Sequence, residues 1–105
     1  MRFQWTESFG RDWRGLSKRH KSLFLESFPG FSDACDSWVN KRTPFPSRFR
    51  VDDVKAAPGV LEMTWSFSGP DGRATWQWSS VSIEGQDYPA VLWRRIGLHE
   101  IYKNP

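Results

Sequence analysis

Cysteine is scarce in this chain of 105 residues, which contains only Cys35. A single cysteine excludes a framework of intrachain disulfide bonds, and a small buried thiol is the common state of such a residue. No apolar run approaches the roughly 20 residues of a membrane-spanning helix, and the first residues lack the apolar core of a signal peptide. These absences predict a cytoplasmic protein that does not enter a membrane.

Metal ligands and nucleotide-binding motifs are also missing. His20, His99 and Cys35 lie far apart, without the spacing of a metal site. The glycines of GPDG at residues 69–72 are turn residues and do not form a phosphate-binding loop. No serine lies in the motif of a nucleophilic enzyme. The sequence therefore predicts no metal or other cofactor, and most enzyme classes are excluded.

Positive charge and tryptophan are, by contrast, plentiful. The formal net charge is +3, and residues 1–58 hold 11 Lys and Arg against 7 Asp and Glu, while residues 59–105 hold 4 against 5. A basic protein of this kind favours a polyanionic partner. The seven tryptophans can serve either as core bulk or as a surface on which bases stack.

Two helices are predicted in the first part of the chain, after a short strand over Arg2–Trp5. The first helix is expected over residues 7–14. In the second, apolar residues recur every three or four positions from Phe24 to Trp38, which is the spacing of one helix face. The spacing keeps its phase across Pro29. This favours one long helix kinked there, with two helices broken at the proline as the alternative.

In the second half of the chain, apolar and polar residues alternate, which predicts strands. In this part of the chain a strand is expected to begin at Phe49, and the clearest strand covers residues 60–67. A polar loop is expected over residues 81–88 and the last strand over residues 90–96. The sequence thus predicts an α+β fold of one domain over residues 1–105, with an N-terminal helical hairpin packed on a twisted antiparallel β-sheet.

The turn sequence SGPDGR at residues 68–73 predicts a hairpin in which Trp65 pairs with Trp76. Apolar residues then oppose apolar ones, which supports this register. The other face carries Glu62 and Arg73 among neutral polar residues, as the floor of a cleft would.

Alternation along the last strand places Trp93 and Arg95 on this polar face and points Arg94 toward the helices. His99 and Tyr102 follow within a few residues, so reactive side chains are densest here. Such groups suit RNA cleavage without a metal, in which a base takes the 2′-hydroxyl proton and an acid protonates the leaving 5′ oxygen. A histidine can serve either proton transfer, whereas an arginine stays charged and stabilises the phosphorane.

The same stretch carries a family resemblance. Arg95, Gly97 and His99 match the Arg-x-Gly-x-His pattern that ends the last strand in YafQ-type members of the RelE/ParE toxin superfamily. The order of elements over residues 48–105 also resembles the mRNA endonuclease branch of that superfamily. The resemblance implies that Arg95 and His99 are catalytic, that Arg73 contributes to phosphate binding and that Tyr102 stacks on or orients the substrate.

The resemblance implies a ribosome-dependent mRNA endonuclease, which is the toxin of a type II toxin–antitoxin pair. His99 is then the general acid, and the RNA backbone is held by Arg48, Arg50 and Lys55. The general base stays unassigned, with Glu62 as a candidate on the polar face. Glu100 departs from the family, because a basic residue is frequent at that position and a carboxylate lowers the positive potential near a phosphate.

The partners implied by the resemblance are a cognate antitoxin, mRNA and the ribosome, with a homodimer or a heterotetramer with the antitoxin as the assembly. No cofactor is implied. Two further functions stay open at this point. One is a DNA gyrase inhibitor similar to ParE, and the other is a non-catalytic binding protein with the RelE fold.

Overall fold

Two helices and a five-stranded sheet make up the computed structural model, which describes residues 1–67 and 69–105. Within these residues the elements are, in chain order, β1 (Arg2–Trp5), α1 (Glu7–Gly15), α2 (Lys18–Lys41), β2 (Asp52–Asp53), β3 (Leu61–Ser66), β4 (Gly72–Ile83) and β5 (Gln86–Gly97). Short 3-10 helices cover Ser47–Phe49 and His99–Lys103. The helices pack on one face of the sheet, so the predicted α+β fold is confirmed.

Both helices begin at side-chain caps. The Thr6 hydroxyl accepts a hydrogen bond from the N–H of Phe9 at 3.1 Å, and the Ser17 hydroxyl accepts one from His20 at 3.1 Å. α2 continues through Pro29 as a single helix, so the alternative of two broken helices is excluded. Among the described residues, no helix has an apolar stretch long enough to cross a bilayer.

The strands lie in the order β1-β5-β4-β3-β2. The other three neighbouring pairs are antiparallel, but β1 runs parallel to β5, with Arg2 opposite Ala90 and Trp5 opposite Trp93. The sheet is therefore mixed, and the prediction of a wholly antiparallel sheet was wrong in this respect. Alternation of apolar residues marks a strand, but it does not encode the direction in which the first and last strands pair.

The expected strand at Phe49 is replaced by one turn of 3-10 helix and the two-residue β2. Arg50 adopts a left-handed conformation with φ 44°, which interrupts the extended run. Phe49 is buried even so, because its ring packs edge-on against Phe31 at a centroid distance of 5.7 Å. The apolar character of Phe49 was recognised correctly, but the predicted strand at this position was wrong.

The hairpin of β3 and β4 has a different register from the predicted one. Trp76 lies opposite Leu61, and Met63 lies opposite Ala74, so the pairing of Trp65 with Trp76 was wrong. Residues 67–71 connect the two strands, and the register shifts between Thr64 and Ser66. Ser68, which belongs to the predicted turn, lies outside the described residues.

The hairpin of β4 and β5 is longer than expected and has a tight end. Glu84 and Gly85 both have positive φ, 51° and 79°, as a two-residue type I′ turn requires. The flanking residues pair, with Val81 opposite Tyr88, so the polar loop predicted over residues 81–88 was wrong. Residues 81–88 are polar because they belong to exposed strands and their turn.

Aromatic side chains fill the space between the sheet and the helices. Trp76 is 0% exposed and Trp93 is 3% exposed, and Phe31 of α2 lies 5.3 Å from the ring centroid of each. Trp93 also packs against Phe9 at 5.8 Å and Phe24 at 5.3 Å. These tryptophans are therefore core residues, and the prediction that Trp93 lies on the polar face was wrong.

Candidate active site

The face of the sheet opposite the helices is covered by residues 98–105, here named the C-terminal turn. The Thr75 hydroxyl donates a hydrogen bond to the main-chain oxygen of Pro105 at 3.2 Å. Thr75 precedes Trp76 along β4, and because Trp76 packs toward the helices, the Thr75 side chain lies on the other face. The chain after β5 thus folds back over the polar face.

One cleft brings together three of the four predicted catalytic residues and the candidate base Glu62. It has a volume of about 580 Å³ and is lined by Glu62, Pro70, Asp71, Arg73, His99 and Tyr102. β3 and β4 supply Glu62 and Arg73, while the C-terminal turn supplies His99 and Tyr102. Four groups able to transfer protons or stabilise charge therefore face one space.

The Arg73 guanidinium lies between two carboxylates. Its Nη1 is 3.2 Å from Glu62 Oε1, and its Nη2 is 3.5 Å from Asp71 Oδ2. Asp71 Oδ2 also lies 3.5 Å from Nη1 of Arg50. Two cations and two anions balance each other at the cleft, so its floor does not attract a phosphate by net charge alone.

Tyr102 keeps its phenolic proton at neutral pH and can donate a hydrogen bond. Burial, together with the hydrogen bond to the charged Glu62 carboxylate, raises the pKa of the Tyr102 phenol to about 12, while Arg73 acts in the opposite direction. A phenol with this pKa holds its proton near pH 7, so Tyr102 cannot be the general base. The exposed His99 ring lies beside it, with a centroid distance of 5.5 Å.

The raised Tyr102 pKa predicts a loss of stability at alkaline pH. Between the ordinary pKa of 10.0 and the folded-state value of about 12, the folded chain binds more protons than the unfolded chain. The free energy of unfolding therefore falls as the pH rises through this range. We expect the fall to be smaller in Tyr102→Phe, measured by urea unfolding at pH 9 to 12.

The matched control for this titration is Tyr88→Phe, which removes the other tyrosine. Cys35 also contributes to alkaline instability, because burial raises its thiol pKa from 9.0 to about 12, but it is present in both variants. An identical pH dependence in Tyr102→Phe and Tyr88→Phe would contradict the placement of Tyr102.

The two adjacent arginines of β5 lie differently from the prediction. The register shifts between Thr75, opposite Arg95, and Trp76, opposite Trp93, so Arg94 is the extra residue of a β-bulge. Arg94 lies on the polar face, where its Nη1 donates to Gln77 at 2.7 Å. The bulge inverts the alternation before it, so the assignment of Arg94 to the helix side was wrong. Arg95 pairs with Thr75 and keeps the predicted polar face.

Arg95 is held at the edge of the sheet by helix α1. Its Nε and Nη2 donate to the Asp12 carboxylate at 2.6 and 3.1 Å, and its Nη1 donates to the main-chain oxygen of Asn104 at 2.9 Å. Arg95 does not line the cleft that contains Arg73 and His99. The structure therefore separates Arg95 from the other predicted catalytic residues.

Gly97 is required for close packing. A Cβ atom at this position would lie 2.7 Å from Glu100 Oε1 and 2.9 Å from Ile101 Cγ2, and its φ is not in the left-handed region. Glu100 Oε1 in turn accepts a hydrogen bond from the N–H of Leu98 at 3.1 Å. The glycine thus lets the C-terminal turn lie directly on the end of β5.

The three predicted RNA-binding residues do not form one patch. Arg50 reaches the cleft through Asp71, and its guanidinium also lies 4.8 Å from the centroid of the Phe67 ring. Arg48 stacks on Phe49 at 4.6 Å and lines a separate cavity near α2. Lys55 is exposed in the turn between β2 and β3.

Sequence reasoning missed the carboxylates of Asp12 and Asp71. Asp71 could have been considered, because it lies in the same turn sequence as Arg73. Nothing in the spacing of the chain connects Asp12 with Arg95, since helix α1 and the end of β5 meet only in the folded protein.

The arrangement of ligand-type residues does not provide a metal centre. Over residues 1–67 and 69–105, no three His, Cys, Asp or Glu side chains are grouped so that they could hold a metal ion. Comparison with family models, curated proteins and solved structures found no match to this chain. The interpretation of the cleft therefore rests on its own geometry and on the short motif at its edge.

Proposed function

We propose that this protein is an mRNA endonuclease toxin of a toxin–antitoxin pair that cleaves RNA by acid–base chemistry without a metal. The observation that supports this proposal is the convergence of Glu62, Arg73, His99 and Tyr102 on one cleft. These residues come from three separate parts of the chain. Together they provide a base, a fixed cation, an acid and a hydrogen-bond donor.

The reaction assigns one step to each group. The Glu62 carboxylate removes the proton from the ribose 2′-hydroxyl, and the 2′ oxygen attacks the adjacent phosphorus. The Arg73 guanidinium stabilises the added negative charge, with the Tyr102 hydroxyl as a further donor. His99 protonates the departing 5′ oxygen. The P–O5′ bond breaks, and the products are a 2′,3′-cyclic phosphate and a 5′-hydroxyl.

The charge balance of the cleft supports delivery of the RNA by the ribosome. Glu62 and Asp71 offset Arg73 and Arg50, so free RNA gains little from electrostatic attraction to this site. In this proposal the ribosome, which presents the mRNA segment, supplies the binding energy instead. Glu100 is compatible with this proposal, because its carboxylate accepts a hydrogen bond from the Leu98 N–H.

An antitoxin has an apolar groove available between β1 and the helices. The groove is about 370 Å³, and it contains the exposed side chains of Trp5 and Leu25. Arg14 lines this groove and, together with Arg11, an adjoining one. An amphipathic antitoxin helix with apolar anchors and acidic neighbours fits this surface. The same proposal includes the assembly, which is a homodimer of the toxin or a heterotetramer of two toxin–antitoxin pairs. It also includes a cytoplasmic location.

Mapping of mRNA 5′ ends after addition of the protein to a translation extract tests the proposed activity. We expect cuts in phase with the reading frame, carrying 5′-hydroxyl ends, because the ribosome positions the substrate. DNA breaks without mRNA cuts would instead indicate the gyrase inhibitor. Normal growth of cells that overproduce the chain, again without cuts, would indicate a non-catalytic binding protein. Either result overturns the proposal.

A further inference from the structure

The Asp12 carboxylate occupies a position that a neighbouring strand would otherwise fill. β1 ends at Trp5, opposite Trp93. Beyond that point, on the side of β5 away from β4, the described residues place no strand beside it. Asp12 Oδ2 accepts a hydrogen bond from the N–H of Ile96 at 3.1 Å, and the carboxylate also accepts two from the Arg95 side chain. Helix α1 is thereby fixed to the end of the strand that precedes the cleft residues.

Arg95 extends this attachment to the C-terminal turn. Its Nη1 donates to the main-chain oxygen of Asn104 at 2.9 Å, so one guanidinium joins α1 to the far end of the turn. Arg94 donates from Nε to the main-chain oxygen of Pro105 at 3.0 Å. The two arginines of the bulge therefore hold consecutive residues of the turn from two sides.

The turn itself has weak internal bonding. Its 3-10 helix has no side-chain cap, and the hydrogen bonds from Ile101 to Leu98 and from Asn104 to Ile101 are 3.4 and 3.2 Å long. Five-residue 3-10 helices have poor hydrogen-bond geometry and depend on tertiary contacts. The segment therefore depends on contacts with the rest of the fold. These are the burial of Ile101, the hydrogen bond from Thr75 to Pro105, and the attachments through Arg94 and Arg95.

We propose that Arg95, clamped by Asp12, is a positioning residue that fixes the turn carrying His99 and Tyr102, and that it does not bind the scissile phosphate. The proposal rests on the function proposed above. Asp12 is a positioning residue of the same unit, because it orients the Arg95 fork in two parallel hydrogen bonds.

The alternative role for Arg95, contact with the phosphate, would require this clamp to open. Both side chains are mostly buried, with 22% of Arg95 and 18% of Asp12 exposed. Release would leave the Asp12 carboxylate without its cation and the Asn104 oxygen without its donor, which is unfavourable at a partly buried site. The hydrogen bond to Asp12 also raises the pKa of Arg95 above its ordinary value. Arg73, in contrast, already faces the cleft.

Asp12→Asn distinguishes the two roles, because they predict changes of opposite sign. If Arg95 positions the turn, the variant gains nanosecond mobility over residues 98–105, measured by ¹⁵N relaxation, and kcat for mRNA cleavage falls about 10- to 100-fold with little change in KM. If Arg95 binds phosphate, its release from Asp12 leaves the turn rigid and raises kcat/KM. That second result would overturn the proposal.

Three further variants make the test specific. Asp33→Asn changes an exposed residue of α2 in the same way and should match the wild type. In Arg95→Gln the Asp12 carboxylate can still accept the hydrogen bond from Ile96, and the turn should become mobile as in Asp12→Asn. This variant keeps the proposal testable if Asp12→Asn does not fold. The double variant of Asp12 and Arg95 should be no worse than the more impaired single variant, because both residues act through one contact. Fully additive losses would overturn the proposal.

The mobility measurement uses the free protein and needs no RNA. If the wild type cleaves no mRNA while Asp12→Asn still loosens the turn, the proposed function is wrong and the positioning contact stands. If the wild type cleaves mRNA and the turn stays rigid in both Asp12→Asn and Arg95→Gln, the positioning proposal is wrong and the proposed function stands.

Discussion

His99→Ala is expected to lower the rate of mRNA cleavage by about 10²- to 10⁴-fold, the usual contribution of a general acid or base. His99 is exposed at the cleft beside Tyr102, so its removal leaves the 5′ oxygen without a proton donor but creates no cavity in the core. The thermal midpoint should therefore remain unchanged. Growth arrest on expression and the frequency of mapped mRNA ends both report the loss.

The matched control is His20→Ala, which removes the other histidine. His20 lies on α2, with its ring 5.5 Å from that of Trp65, and does not line the cleft. We expect His20→Ala to cut mRNA at the wild-type rate. Equal activity in His99→Ala and the wild type would show that the acid has been assigned to the wrong residue.

Trp76→Ala is expected to destabilise the fold by about 3–5 kcal/mol, the range for removing a large aromatic residue from a core. Trp76 is fully buried and contacts Phe31, Phe45 and Trp78 at ring-centroid distances of 5.3, 5.9 and 5.0 Å. A domain of this size has a total stability of about 5–15 kcal/mol, so the variant loses a large part of it. Urea unfolding followed by circular dichroism measures the change.

Trp5→Ala provides the comparison, because the Trp5 side chain is 65% exposed. Its removal should change the free energy of unfolding by less than about 1 kcal/mol, as for most surface substitutions. If both tryptophan variants lost the same amount of stability, the assignment of Trp76 to the core and Trp5 to the surface would be refuted.

The helical part of the fold could be predicted because its signals are local. Thr6 and Ser17 cap helices within three residues of themselves, and the apolar spacing around Pro29 is strong enough to outweigh the missing hydrogen bond. The sheet was harder, because a bulge at Arg94 inverts every side-chain direction before it. This inversion explains why Trp93 was placed on the wrong face.

The candidate site was predictable only where its residues follow a motif or a strand. Arg73, His99 and Tyr102 were recognised and do lie at one cleft. Glu62 was considered as a base because strand alternation placed it on the polar face. Asp12 carries no comparable signal, because its importance comes entirely from a contact between distant parts of the chain.

The parallel pairing of β1 with β5 has a consequence for the synthesis of this protein. Arg2 pairs with Ala90, so the first strand has no partner until nearly the whole domain has left the ribosome. Such long-range pairing slows folding, because a large loop must close before the contact forms. The C-terminal turn follows β5 directly, so the cleft is completed last. A nascent chain therefore has no assembled cleft while the ribosome that makes it is still translating β5.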